Sequence, residues 1–157
     1  MNIEKPYRRK QTATIQLDRA PDDVFALMCP VREHDWVPNW ATNSIHSNSG
    51  LVEEDCIFTT PADGKEATWI TAKHDPLARR LTMYKVIPGD LVTRLDIAVD
   101  ETTPGSAATI CYEHTALSDT GRKVVDQHTA EKYSDMMDSW RTMIHGHLSE
   151  ESPRLAS

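Results

Sequence analysis

Between Thr12 and Ala116 polar and apolar residues alternate with a period of two, interrupted at short intervals by proline, glycine and aspartate. Thr12–Asp18 sets Ala13, Ile15 and Leu17 against polar neighbours, the pattern of a half-buried strand. Trp40–Ser49 is a weaker candidate, rich in Asn and Ser, and Asp55–Thr60 a third strand closed by the turn signal Pro61-Ala62-Asp63-Gly64. Ala67–His74 stops at Asp75-Pro76 and Arg80–Ile87 stops at Pro88-Gly89. Leu91–Val99 alternates throughout and is the clearest strand of the set; its partner, Ala107–Ala116, follows the turn Thr103-Pro104-Gly105-Ser106. Short strands with turns at this spacing predict an antiparallel meander.

Two helical patterns frame the strands. In Ala20–Met28 proline opens the helix, Asp22 and Asp23 sit in its positive first turn, and Val24, Phe25, Leu27 and Met28 form an apolar face. From Ser118 or Asp119 to about Leu148 the period becomes 3.6, with Val125, Thr129, Tyr133, Met136, Met137, Trp140, Ile144 and Leu148 along one side. Gly121 and Gly146 weaken only its ends. One long amphipathic helix after seven strands can cover that stripe only against a sheet, which predicts an α+β fold with the sheet curled around the helix.

Alternation also divides each strand into two faces. Ala108, Ile110, Tyr112, His114 and Ala116 share the more apolar face of their strand, and Leu91, Thr93, Leu95, Ile97 and Val99 that of theirs. Arg94 and Asp96 are thereby sent outward, as a solvated pair. Tyr84 groups with Thr82 and Val86. Ile70, Ala72 and His74 oppose Trp69, Thr71 and Lys73, and the pattern does not rank those two faces.

The densest chemistry lies in Cys29-Pro30-Val31-Arg32-Glu33-His34-Asp35-Trp36-Val37-Pro38-Asn39-Trp40, where two indoles, two prolines and several ionisable side chains crowd one connector. With the order strand, Pro-Asp-Asp-Val-Phe helix, this segment, six further strands and a terminal helix, the chain from about Arg8 to Leu148 resembles the SRPBCC superfamily of START/Bet v 1-like helix-grip domains, in particular a bacterial branch of uncharacterised members. The resemblance implies a curved seven-stranded antiparallel sheet around the last helix, short helices after the first strand, and a cavity between sheet and helix. It does not imply one reaction, since polyketide cyclases and Hsp90-activator-like proteins share the superfamily.

The 157 residues suit one domain, ordered over about 8–149, with polar ends to either side. Seventeen bases against 24 acids give a net charge of -7, which disfavours a nonspecific grip on nucleic acid or an anionic membrane. There is neither a bilayer-length apolar run nor a secretory leader pattern, so the expected address is cytoplasmic, without membrane insertion. Cys29, Cys56 and Cys111 are odd in number and widely spaced, as for reduced thiols. No zinc-type spacing, nucleophile elbow, phosphate loop or dinucleotide fingerprint is present, so no metal and no cofactor is expected.

The expected partner is a small, largely apolar molecule, with a homodimer through a strand edge or helix compatible with the pattern. Its expected contacts are Arg32, Trp36, Trp40, Trp69, Tyr84, Tyr112, His114, Tyr133, Met137 and Trp140. Trp36 and Trp40 serve either as a cork of the sheet's open end, with Arg32 paired to Glu33, Asp35 or another acid, or as the rim of a pocket, with Arg32 a donor fork for a carboxylate or phenolate. His114, on an apolar strand face beside Tyr112, is either a satisfied core histidine or a proton-handling group. Three functions remain open: ligand binding alone; a cyclase or dehydratase in which His114 with Tyr112 or Tyr133 promotes enolisation of a bound ketone; and an interaction module like the Hsp90-activator relatives.

Overall fold

The computed structural model describes residues 1–155, with side chains described to Glu150. Strands β1 (Tyr7–Leu17), β2 (Ser44–His46), β3 (Ile57–Ala62), β4 (Lys65–Asp75), β5 (Arg80–Ile87), β6 (Leu91–Glu101) and β7 (Ser106–Ala116) form one antiparallel sheet in the order β1-β7-β6-β5-β4-β3-β2. Short helices α1 (Pro21–Ala26) and α2 (Glu33–Trp36) carry the chain from β1, at one edge, to β2 at the other. Helices α3 (Asp119–Gln127) and α4 (Ala130–Leu155) follow β7, and α4 lies against the sheet's inner face, packing on β1 and α2. Among the described residues no helix is long and apolar enough to cross a membrane.

Inner positions form one core. Leu95, Ile97 and Val99 of β6, with Ala108 and Ile110 of β7, meet Tyr133, Met137, Ile144 and Leu148 of α4, all nearly inaccessible to solvent. Burying such a side chain contributes about 1.5–3 kcal/mol.

Several elements depart from the pattern-based expectation. β1 begins at Tyr7, before Thr12, so the basic run Arg8-Arg9-Lys10 belongs to the ladder. The reason lies in α3: the Tyr7 hydroxyl donates to the Asp126 carboxylate and Arg9 to the Asp126 carbonyl at 3.2 Å, which holds the edge in register. The hairpin between β3 and β4 turns on Asp63 and Gly64 alone, both with positive φ (45° and 79°), while Pro61 and Ala62 remain in the strand. That two-residue turn matches the right-handed twist of its flanking strands. The helix runs past Leu148 to Leu155; of the polar end expected at 150–157, the last two residues lie outside the described residues.

The terminal helix is also not continuous. His128 (φ −80°, ψ 62°) interrupts it, and the Thr129 hydroxyl restarts it by accepting from the Lys132 amide at 3.3 Å. Two bonds to strands compensate the break: Gln11 donates to the His128 carbonyl at 3.0 Å, and His128 Nε2–H donates to the Tyr112 carbonyl at 3.0 Å. Gly121 lets α3 approach the β5–β6 turn, since a Cβ there would stand 1.9 Å from the Asp90 carbonyl oxygen.

The face left unranked on β4 is decided by a bulge. Thr71 pairs with Met83, but Lys73 pairs with Thr82 and His74 with Leu81, so Ala72 is the extra residue. Trp69, Thr71 and His74 therefore all point inward, and the His74 ring stacks on Phe25 with centroids 5.6 Å apart. One inserted residue reverses the alternation beyond it.

Candidate functional site

Between the sheet and α4 the core is hollow. A cavity of about 140 Å³ is bounded by Phe58, Trp69, Met83, Leu95 and Ile97 from the strands, Trp140 from α4, and Met28, Pro30, Val37 and Trp40 from the α1–β2 connection. Two ionisable groups face this apolar space, the Glu33 carboxyl and the Tyr112 phenol. Beside it, where the chain breaks between α3 and α4, lies an open vestibule of about 400 Å³. Trp69 and Tyr112 line both spaces and so form the partition between them.

The vestibule takes Lys85 from β5, His114 from β7, Gln127 and Val124 from α3, His128 from the break, and Lys132, Tyr133 and Met136 from α4. Lys85 follows Leu81 and Met83 on the inner face, and its Nζ sits 5.3 Å from the centre of the Trp69 ring, within cation–π range. His114 shares a 2.6 Å hydrogen bond between Nδ1 and the Thr93 hydroxyl, and its ring meets His128 edge-on at 4.4 Å. The Tyr133 hydroxyl donates to the Ile110 carbonyl, so it is committed to the fold.

Burial sets the protonation states. It pushes Glu33 up to about 8, and among the described residues no cation or hydrogen-bond donor stabilises its anion. Tyr112 is raised far above an ordinary phenol, first by burial and then by the nearby Glu33 and Tyr133. His114 falls to about 3, through burial first, then the proximity of His128 and Lys85. Burial also lowers Lys85. At neutral pH the inner cavity thus presents a protonated carboxyl and a phenol, two donors in an otherwise apolar box.

The expected site residues separate into groups. Trp40, Trp69, Tyr112 and Trp140 meet at the inner cavity, and His114 and Tyr133 join Trp69 and Tyr112 at the vestibule. Four others lie elsewhere. Tyr84 is on the outer face, its ring 5.8 Å from the Arg94 guanidinium, because inner positions on β5 fall on Leu81, Met83 and Lys85. Arg32 pairs with Asp35 at 2.7 Å and borders a separate groove of about 560 Å³ beside α1, with Phe25, Leu77 and Arg79. Trp36 is buried, donates to the Leu27 carbonyl at 2.9 Å and packs edge-on against Trp140, while Met137 is solid core; neither lines the inner cavity or the vestibule. Of the cork or rim alternatives, Trp36 is a cork and Trp40, which donates to the Pro30 carbonyl at 2.8 Å, a cavity wall.

Glu33 and Lys85 escaped the sequence reading. Of the acids offered to Arg32 it is Asp35 that pairs with it, while Glu33 opens a one-turn helix that turns its carboxyl inward. Lys85 was legible in principle, since Leu81 and Met83 mark its face as the apolar one. Among the described residues no three His, Cys, Asp or Glu side chains gather as a metal site requires.

No family model and no curated protein matches this chain. Solved structures do. Norcoclaurine synthase from Thalictrum flavum superposes with a TM-score of 0.63 at 14% identity, over 88% of this chain and 87% of that one. An uncharacterised protein from Rhizobium leguminosarum superposes at 0.62 and 10% identity, over 95% and 99%. This is the Bet v 1-like helix-grip fold. Norcoclaurine synthase has also been solved in complex with dopamine and hydroxybenzaldehyde, and that structure superposes on 90% of this chain at a TM-score of 0.62 and 15% identity. In the Bet v 1-like architecture seen here, the sheet is the palm, α4 the gripped rod, and the inner cavity the space between them.

Proposed function

We propose that this protein binds a small, largely apolar molecule, with an aromatic ring or a body of similar size seated in the inner cavity and the remainder in the vestibule. The cavity itself carries the reading. At about 140 Å³ it approaches the roughly 150 Å³ of an apolar hollow that takes up benzene. The vestibule brings the combined space into the range of small-molecule sites. Trp140 and the stacked Phe58–Trp69 pair supply aromatic walls, and the protonated Glu33 and Tyr112 offer donors to a carbonyl or hydroxyl oxygen. Native mass spectrometry of protein purified from its own source is expected to reveal a co-purifying small molecule. Protein that arrives bare and takes up no neutral apolar dye such as N-phenylnaphthylamine overturns the proposal.

A second reading, an enzyme of the cyclase or dehydratase type, is favoured by the acid–base set around Tyr112. In it Glu33 protonates or hydrogen-bonds a bound carbonyl, the proton released on enolisation passes to water in the open vestibule, and His114, neutral and across the Tyr112 partition, orients that water. Glu33→Gln and His114→Gln then each lower kcat at least a hundredfold on any substrate found, with the fold intact; unchanged turnover removes the enzymatic reading and leaves binding.

A further inference from the structure

We propose that the ligand carries an anionic group, a carboxylate or sulfonate, and that Lys85 receives it in the vestibule while the apolar body lies beyond Trp69 and Tyr112. This rests on the ligand-binding reading and narrows it to a chemical class. The chain bears a net charge of -7, yet no acidic side chain lines the vestibule. Apart from the Trp69 and Tyr133 donors, which are committed to Thr60 and Ile110, the polar groups that do are Lys85, Lys132, Gln127, the two histidines and the Tyr112 phenol, chiefly donors or groups able to donate. Buried charges in proteins are ordinarily paired. The arginines beside the separate α1 groove, Arg32 and Arg79, are partly exposed and even so are paired, with Asp35 at 2.7 Å and Asp22 at 3.1 Å. Lys85 is held differently. Among the described residues its ammonium meets no carboxylate and rests on the Trp69 indole face at 5.3 Å.

A cation on the wall of a pocket, desolvated along its stem and lacking a counter-ion, is stabilised by an incoming anion. The surroundings exclude the opposite preference, because a cationic ligand head would meet Lys85 and Lys132 together. The position also fits one extended guest. Phe58 stacks on Trp69 from the β3 side at 5.4 Å and the ammonium lies over it from the β5 side, so the indole borders the inner cavity beside its stacked faces, and a body seated there reaches past Trp69 with a short acidic substituent toward Nζ.

The test compares two dyes with the same ring system, anilinonaphthalene sulfonate and neutral N-phenylnaphthylamine, titrated by fluorescence into the wild type, Lys85→Met and Lys85→Arg. The wild type is expected to bind the sulfonate at least tenfold more tightly than the neutral dye, the scale of one charge-assisted hydrogen bond. Lys85→Met abolishes that preference and leaves the neutral dye within twofold, Lys85→Arg retains most of it, and added salt weakens only the sulfonate. If the neutral dye binds and the sulfonate binds no better, or if Lys85→Met leaves the sulfonate unchanged, the anion assignment fails while the cavity reading stands. Uptake of neither dye overturns both. Melting curves that match the wild type establish that each variant is folded.

Discussion

Replacing Glu33 by glutamine should make the protein more stable at alkaline pH, although it removes a charged group from a folded protein. The Glu33 carboxyl has a value of about 8 in the folded chain against 4.5 ordinarily, with burial as its cause. Below pH 4.5 both folded and unfolded chains hold the proton, and the group costs nothing. As pH rises the unfolded chain ionises first, so stability falls progressively from about pH 4.5 and levels off only above pH 8. At 1.36 kcal/mol per pH unit, the penalty is about 3 kcal/mol at pH 7 and about 5 kcal/mol at pH 9. Glutamine copies the shape of the protonated acid and does not titrate. Urea unfolding followed by circular dichroism at pH 5, 7 and 9 isolates the effect as the difference between the two proteins, in which every other titrating group cancels. The difference should be small at pH 5 and grow with each step, with the variant's Tm higher by roughly 6–12 °C at pH 7. Parallel stability profiles across that range would refute the inward, unpaired placement of this carboxyl.

Other outcomes follow from the same geometry. Because His114 falls to about 3 when folded, its contribution is present above pH 6.5 and is lost as pH falls; His114→Gln should flatten the acid limb by about 1–2 kcal/mol at pH 5, and superimposable acid limbs would contradict it. Gly121→Ala drives a methyl group against the Asp90 carbonyl and should cost about 2–4 kcal/mol in chemical denaturation, whereas Gly146→Ala, with open space around it, should be neutral or stabilising. Tyr133→Phe frees the Ile110 carbonyl and should lower stability by about 1 kcal/mol without changing dye affinity, because that hydroxyl faces the backbone and not a guest.

The sheet was readable because its strands are half-buried, and burial on one face imprints alternation: Leu91 to Val99 alternates in exposure as it does in polarity. Tyr112 and His114 were correctly oriented on the same ground, continuing the face of Ala108 and Ile110. Where long-range contacts override local pattern, the sequence was silent. The bulge at Ala72 brings Trp69 and His74 to one side although they differ by an odd number of positions, and no residue type there announces it. The break at His128 is invisible in a stripe that continues from Val125 through Tyr133, because its cause is hydrogen bonding to β1 and β7. Nearness along the chain did not decide between the acids beside Arg32: Asp35 takes the guanidinium, and Glu33 is left facing hydrocarbon.

The stitch joining His128 and Gln11 to main-chain carbonyls carries a consequence for specificity. Peptide oxygens are common to all residue types, so the doorway keeps its dimensions whatever side chain stands at position 112. Under the proposed binding function, exchanges at Tyr112 or Lys85 therefore retune which guest is admitted while the frame of the door stays put, separating the hardware of the opening from the chemistry of its selection.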